Sequence, residues 1–127
     1  MGEKNESCDF LIIGAGVTGL AAAMYGARLG LKTLCLGATH GSELPVGGVI
    51  TTTNIVENYP GFIRLSGPEL AEEIRKHAAS YDLVTIKEEK VENVDKKEKD
   101  LSLSRKRGTL FQRKRYLVDC CWCKCWF

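Results

Sequence analysis

Two glycine-rich segments hold the residues best suited to chemistry in this sequence. Residues 14–19 are G-A-G-V-T-G and match the pattern G-x-G-x-x-G. In that pattern the first glycine allows a tight turn, the second lets a pyrophosphate approach the backbone, and the third lets a helix pack close to a sheet. Amides at the start of the helix then attract the phosphates. The pattern predicts a dinucleotide site without separating FAD from NAD, and its alternative is a glycine-rich turn that binds nothing.

A β-α-β unit is predicted around this first segment. Residues 8–13, C-D-F-L-I-I, form a short apolar run typical of a strand buried in a parallel sheet, with Cys8 as a small buried residue. Residues 33–36, T-L-C-L, predict a second strand that buries Cys35. The crossover between the two strands should be right-handed. A helix is predicted over residues 18–29, ending before Gly30, because apolar residues recur at helical spacing: Leu20, Ala23, Met24 and Ala27.

The end of the second predicted strand departs from the usual dinucleotide pattern. An acidic residue often stands there and binds the adenosine ribose. Here the position is Gly37. Direct recognition of the ribose by a carboxylate at this position is therefore missing. The ribose contact is absent, or the backbone or Glu43 supplies it.

The second glycine-rich segment suits a flat ligand. Residues 47–53 are G-G-V-I-T-T-T, and residues 56–62 are V-E-N-Y-P-G-F. Paired glycines let the backbone come close to a ring, threonines supply hydroxyls, and the amide of Asn58 can both donate and accept. The Pro-Gly pair predicts a turn that holds Tyr59 or Phe62 near such a ring. A polar, glycine-lined slot next to a pyrophosphate site fits an isoalloxazine.

A capped helix is predicted directly after this segment. Ser66 can accept from the amide of Glu69, the Glu69 carboxylate can return to the Ser66 amide, and Pro68 is tolerated in the first turn. The helix should end near Ser80. Its inner face is predicted to contain Leu70, Ile74, His77 and Ala78.

These motifs together resemble those of the low-molecular-weight thioredoxin reductases and relatives such as the flavoprotein subunit of alkyl hydroperoxide reductase. Those proteins carry G-G-Q-L-T-T-T, V-E-N-[YFW]-P-G and a G-P-E-L helix start after an amino-terminal G-x-G-x-x-G. Residues 67–70, G-P-E-L, complete the series here in the same order, and the resemblance extends from Asp9 to about Asp119. It implies an α/β fold: a Rossmann-like, three-layer FAD-binding domain, incomplete here, with a parallel sheet and a small antiparallel β-meander.

The resemblance also implies a set of FAD-binding residues. One departure is Val49, which stands where the family has glutamine, so a flavin hydrogen bond from that side chain is lost. The Val91 backbone would contact the adenine, and glycine at position 37 occurs in some members. The pyrophosphate would be held by Gly14, Gly16, Val17, Thr18 and Gly19, and the flavin would be lined by Gly47, Gly48, Val49, Thr53 and Asn58.

The function implied is transfer of electrons from NADPH through FAD and a redox-active Cys-x-x-Cys to thioredoxin or a similar disulfide protein, in a homodimer. The nicotinamide domain and the cysteine pair of the family lie beyond the matched segment. We therefore expect an amino-terminal fragment with no catalytic residue and no NADPH site of its own, inactive in isolation. One alternative is a module that binds FAD or its ADP half without catalysis, and another is a metal-binding or redox-sensing protein that acts through the cysteine-rich tail, Cys120 to Cys125.

The remaining sequence is predicted to form short strands. Residues 84–86, 91–94, 101–103 and 116–118 predict short strands separated by charged turns, which indicates an antiparallel meander. The net charge of +2 over 127 residues gives no argument for nucleic acid or a membrane as partner. No apolar run is long enough to span a bilayer, and residues 1–7 form a polar extension unlike a signal peptide. A cytoplasmic protein is expected.

The last eight residues, C-C-W-C-K-C-W-F, form an atypical tail after a domain predicted over residues 8–119. Cys120 and Cys123 have Cys-x-x-Cys spacing, but the family pair belongs to the inserted domain. Four thiols within six positions lack the spacer that a tetrahedral metal site needs, so no metal site is assigned. Because cysteine and tryptophan codons begin with TG, a one-base shift would give valine, glycine or leucine codons. We expect a reading-frame error, and a clean open frame in the source DNA would contradict it.

Overall fold

The computed structural model describes residues 7–37, 45–97, 100–105, 108–113 and 116–119. A 3₁₀ helix, Gly48–Thr52, lies between the second strand and the second helix. In chain order the helices and strands are β1 Phe10–Ile13, α1 Val17–Arg28, β2 Thr33–Gly37, α2 Gly67–Ala79, β3 Val84–Glu88, β4 Val91–Lys97, β5 Asp100–Arg105, β6 Gly108–Arg113 and β7 Tyr116–Asp119.

A four-stranded parallel sheet in the order β3-β2-β1-β7 organises the fold. Its register pairs Ile13 with Leu36 on one side and with Asp119 on the other, and it pairs Gly37 with Glu88. The carboxyl ends of all four strands therefore lie at one edge of the sheet. The predicted β-α-β unit is confirmed, and it delivers the first glycine segment to that edge.

The predicted meander is confirmed only in part. An antiparallel sheet exists, in the order β4-β5-β6. The assignment of residues 84–86 and 116–118 to it was wrong, because β3 and β7 pair in parallel with β2 and β1. Strand β6 was not predicted at all. A stretch of three residues is too short for its hydrophobic pattern to show whether the strand pairs in parallel or antiparallel, so only the tertiary structure decides between the two.

The central sheet buries side chains on both faces. Ile12 and Cys35 pack on one face with Leu20 and Ala23 of α1 and with Ala78 of α2. On the other face, Cys8 and Val91 pack with a row of four aliphatic side chains from β1 and β2, namely Leu11, Ile13, Leu34 and Leu36. The prediction that Cys8 and Cys35 are buried is confirmed.

Helix α1 ends as its sequence predicts. Leu29 is the C-cap, and Gly30 follows with a φ of 77°, in the left-handed region that favours glycine. The Gly30 amide donates to the Ala27 carbonyl over 2.9 Å, and the Leu31 amide donates to the Gly26 carbonyl over 3.0 Å. This pair of bonds satisfies carbonyls that the last turn would otherwise leave open.

Helix α2 begins with the predicted capping box and differs from prediction on its inner face. Leu70 and Ala78 are buried and Ile74 is half-buried, as expected. The prediction for His77 was wrong, because its side chain is exposed and its ring stacks on Tyr81 with centroids 6.2 Å apart. The buried position of the last turn is Ala78 instead. Neither α1 nor α2, the two α-helices among the described residues, is long and apolar enough to cross a membrane.

Candidate dinucleotide site

The G-x-G-x-x-G segment requires glycine at its first and last positions. Gly14 has a φ of 111°, and its amide donates to the Leu36 carbonyl at the end of β2 over 2.7 Å. A Cβ atom at Gly19 would lie 1.8 Å from the Gly14 carbonyl oxygen. The first turn of α1 thus packs directly on the turn that precedes it, and any side chain at position 19 would force the two apart.

Gly16 is a glycine that the protein itself does not require. Its φ of −78° and ψ of −176° describe ordinary extended backbone. Among the described residues, a Cβ atom there would meet only the Gly47 carbonyl oxygen, at 3.9 Å, which is ordinary van der Waals contact. Backbone strain and packing among the described residues therefore do not account for glycine at this position, and in the dinucleotide pattern glycine stands here so that a ligand can approach the backbone.

The start of α1 is open. Gly16 is its N-cap, no side chain caps the first turn, and that turn contains no acidic residue. The first amides of a helix have no partner within the helix. Val17 is half-buried and Thr18 is exposed, so the amide and hydroxyl of Thr18 lie where the positive end of the helix dipole meets solvent. Such a helix start favours an anion.

The second glycine segment docks on the first. The Gly47 amide donates to the Ala15 carbonyl over 2.7 Å, and Gly16 and Gly47 form a parallel β-bridge. Gly47 has a φ of 113°, and a Cβ atom there would lie 2.5 Å from the Cβ atom of Ala71 on α2. Gly48 has a φ of 68° and packs so close that its Cβ would be 3.3 Å from the Gly16 Cα. Residues far apart in sequence thus form one glycine-lined surface.

The threonines after these glycines have different tasks. The Thr51 hydroxyl donates to the Gly48 carbonyl and the Thr52 hydroxyl donates to the Val49 carbonyl, each over 2.7 Å. Both hydroxyls therefore hold the 3₁₀ helix together. Thr53 is half-buried, and within the described part of the chain its hydroxyl has no protein partner, which leaves it available to a ligand. The Val49 side chain is 59% exposed, an apolar group on the solvent side of the same segment.

A closed loop follows the 3₁₀ helix. Val56 and Leu65 exchange two backbone hydrogen bonds, of 2.8 and 3.1 Å, that join its ends. Between them Gly61 adopts a φ of 101°, and the rings of Tyr59 and Phe62 lie 6.4 Å apart. Asn58 is exposed in this loop. Within the described residues no hydrogen bond links it to either glycine segment.

The end of β2 cannot carry the acidic residue of the usual pattern. A Cβ atom at Gly37 would lie 2.3 Å from the Cβ atom and 3.1 Å from the amide nitrogen of Ala15. The turn that follows β1 therefore fills the space of a side chain at position 37. Glu43, the alternative carboxylate, lies outside the described residues, as do the four cysteines of the tail.

The structure brings most of the predicted site residues to the carboxyl edge of the sheet. Both glycine segments and Gly37 meet there, and Val91 begins β4 three residues after β3 ends at that edge. The Val91 side chain packs in the core, so only its backbone is offered outward. Sequence reasoning missed Ala15 and Ala71, whose small side chains set the spacing of these loops. Little in the sequence indicated this role: Ala15 is a small residue within the first glycine segment, and Ala71 is one alanine of helix α2.

A family model described as pyridine nucleotide-disulphide oxidoreductase matches residues 8–119. The chain belongs to that family. The Rossmann-like α/β fold class predicted from the sequence is confirmed by this family match and by the superposition of the chain on solved thioredoxin reductases.

Three similar proteins illustrate the likeness. Thioredoxin reductase of Mycoplasma genitalium is 45% identical over 78 residues, which are 61% of this chain and 23% of that protein. A 34.2 kDa protein in the rubredoxin operon of Clostridium pasteurianum is 47% identical over 78 residues, 61% of this chain and 24% of that one. The crystal structure of T. acidophilum thioredoxin reductase superposes with a TM-score of 0.75 at 31% identity, covering 89% of this chain and 34% of that one.

The chain therefore spans about a quarter of the length of the two curated relatives and about a third of that solved structure. The residues that the family model matches, 8–119, include both glycine motifs and the capped helix.

Proposed function

We propose that this chain binds FAD as part of a thioredoxin reductase-like oxidoreductase. The observation that carries the proposal is Gly16, where neither conformation nor packing asks for glycine and where the described protein leaves the space above the backbone open. An uncapped helix start next to that space supplies amides and a positive dipole end for a pyrophosphate. A glycine-lined surface continues from it along residues 47 and 48, as an extended dinucleotide would need.

Each part of the site has a proposed task. The flavin, when bound, would supply the electron-carrying chemistry that the described side chains themselves lack. Gly37 leaves the end of β2 without a side chain, and the Val91 backbone contacts the adenine. The pyrophosphate is held by Gly14, Gly16, Val17, Thr18 and Gly19, and the flavin ring is lined by Gly47, Gly48, Val49, Thr53 and Asn58.

The activity of the whole protein is proposed from its relatives. Four relatives with 42–45% identity carry the name thioredoxin reductase, and the chain matches 20–23% of the length of each. We extend to this protein the transfer of electrons from NADPH through FAD to the disulfide of thioredoxin or a similar protein, and assembly as a homodimer in the cytoplasm. In that scheme the described segment binds and orients the flavin, and the nicotinamide site belongs to other parts of the protein.

Substitution of Gly16 by alanine tests the site. The full chain is incubated with FAD, desalted and examined by visible absorption, and the dissociation constant is measured by titration. The wild type should retain flavin. Gly16→Ala should bind FAD about 100-fold more weakly, because the new methyl group occupies the path of the pyrophosphate. Its free energy of unfolding should fall by no more than about 1 kcal/mol, the usual difference between N-cap residues.

Ser66→Ala is the matched control, because it places alanine at the N-cap of the other helix, α2. It should lose a similar amount of stability and keep its FAD affinity. Equal FAD affinity in the wild type and Gly16→Ala would contradict the proposed site.

A further inference from the structure

In the proposed FAD site, the usual position has no carboxylate to accept hydrogen bonds from the hydroxyls of the adenosine ribose. That carboxylate normally stands at the end of β2. Here the position is Gly37, and the Cβ atom of Ala15 fills the space where a side chain would begin. The close packing of the first turn on β2 makes this lack a built-in feature of the backbone. The end of β2 therefore cannot supply a carboxylate for the ribose.

The strand register identifies a carboxylate beside this position. Gly37 pairs with Glu88, the last residue of β3, and β3 is the neighbour of β2 in the parallel sheet. Residues paired across adjacent strands lie about 4.8 Å apart and direct their side chains to the same face of the sheet. Glu88 therefore stands one strand away from the missing side chain, at the same carboxyl edge and on the same face.

The contacts of Glu88 leave its carboxylate able to bind a ligand. Its side chain is 62% exposed, and one oxygen, Oε1, accepts from Arg75 Nη1 on α2 over 3.4 Å. Among the described residues this one long contact restrains the side chain without saturating it, because a carboxylate has about four acceptor positions. Exposed ion pairs of this kind contribute little energy, so the geometry can readjust when a ligand arrives.

We infer that Glu88 is the ribose-binding carboxylate of this site and accepts hydrogen bonds from the hydroxyls of the adenosine ribose. The inference rests on the proposed dinucleotide function and adds to it the residue that recognises the ribose. The role normally filled from β2 has moved one strand outward, because the turn after β1 packs against β2 too closely to admit a side chain at its end.

The test uses ADP and 2′,3′-dideoxy-ADP with the full chain, measured by isothermal titration calorimetry. Wild type should bind ADP about tenfold more tightly than the dideoxy analogue, the size expected for a hydrogen bond to a charged group. Glu88→Gln should bind ADP about tenfold more weakly than wild type and should bind the analogue with unchanged affinity. Glu73→Gln is the matched control. Glu73 lies on α2 and, like Glu88, has an exposed carboxylate in an ion pair, with Lys76 at 3.2 Å. It should bind both ligands as wild type does.

The outcomes separate this inference from the function on which it rests. If wild type binds ADP and Glu88→Gln binds it equally well, or weakens ADP and the analogue alike, ribose recognition by Glu88 is overturned and the dinucleotide site stands. If Glu43→Gln rather than Glu88→Gln loses the preference for ADP, the carboxylate belongs to the loop after β2 and the inference fails. If wild type binds neither FAD nor ADP, the proposed function fails and the inference fails with it.

Discussion

The two helix starts of this protein are built in opposite ways. Helix α2 begins at Ser66 with a closed capping box, in which the Glu69 amide donates to the Ser66 hydroxyl over 3.3 Å and the Ser66 amide donates to the Glu69 carboxylate over 2.8 Å. Helix α1 begins at Gly16 with no side-chain cap. Both helices pack on the same face of one sheet. The start of α2 is completed by its own chain, and we propose that the start of α1 is completed by a ligand.

Charge follows the same division. Glu69 supplies a negative group at the start of α2, and hydrogen bonds from the backbone and side chain of Ser66 hold the pKa of its carboxyl below its usual value. The first turn of α1 has no acidic residue, so that turn supplies no counter-charge for the helix dipole. At α2 the anion belongs to the helix itself, whereas at α1 we propose that it belongs to a ligand. A diphosphate is the anion that the proposed function provides.

The largest effect on stability is expected at Gly19. In Gly19→Ala the new Cβ atom would lie 1.8 Å from the Gly14 carbonyl oxygen, which is backbone and cannot rotate away. Helix α1 must therefore move off the sheet. We expect the free energy of unfolding to fall by about 3 kcal/mol, the upper end of the range for overpacked positions. Chemical denaturation followed by circular dichroism measures it.

Thr18→Ala is the control for Gly19→Ala, because Thr18 is the exposed neighbour in the same turn. Its unfolding free energy should change by no more than about 0.5 kcal/mol. If Gly19→Ala proved as stable as Thr18→Ala, the close contact between α1 and the preceding turn would be wrong, and the open start of α1 would lose its structural basis.

The sequence predicted the fold best where signals were local. The glycine pattern, the stop at Gly30 and the Ser66–Glu69 box each lie within a few residues, and all have the predicted conformation. Strand partners could not be predicted in the same way, because β3 and β7 join the parallel sheet through pairings with distant strands. The exposed side of His77 was missed for a related reason: a difference of one residue, 100° around a helix, separates it from buried Ala78.

The site was predictable as a set of motifs and not as a surface. Sequence reasoning identified both glycine segments, but only the fold shows that the Gly47 amide binds the Ala15 carbonyl and joins them. Gly37 was noted as a departure from the pattern, yet its cause, contact with Ala15, is tertiary. The proximity of Glu88 depends on the strand register, which no local pattern encodes.

Removal of the α2 cap should have a smaller effect than Gly19→Ala. Ser66→Ala deletes the hydroxyl that accepts from the Glu69 amide, and we expect the free energy of unfolding to fall by about 1 kcal/mol. Chemical denaturation at neutral pH checks this value. Ser80→Ala, at the other end of α2, removes a hydroxyl that donates to the His77 carbonyl over 2.7 Å. It serves as the control, and a loss from Ser80→Ala as large as that from Ser66→Ala would show that the capping box has no special weight.

The smallest expected effect is a pH dependence carried by Glu69. Hydrogen bonds from the Ser66 backbone and side chain lower the pKa of the Glu69 carboxyl in the folded chain, so its contribution to stability is fully present above the unfolded pKa and is lost as the pH falls through the folded pKa. Wild type should therefore be more stable than Glu69→Gln by a constant margin from neutral pH down to the ordinary pKa of a glutamate, and the margin should shrink as the pH falls further, through the lowered pKa. Denaturation curves for both proteins at a series of pH values measure it, with Glu72→Gln, an exposed carboxylate of the same helix, as control. A margin over Glu69→Gln that stays constant into the acid range would mean that Glu69 caps the helix through its shape rather than its charge. The charge contrast between the two helix starts would then fail, although the open start of α1 would remain.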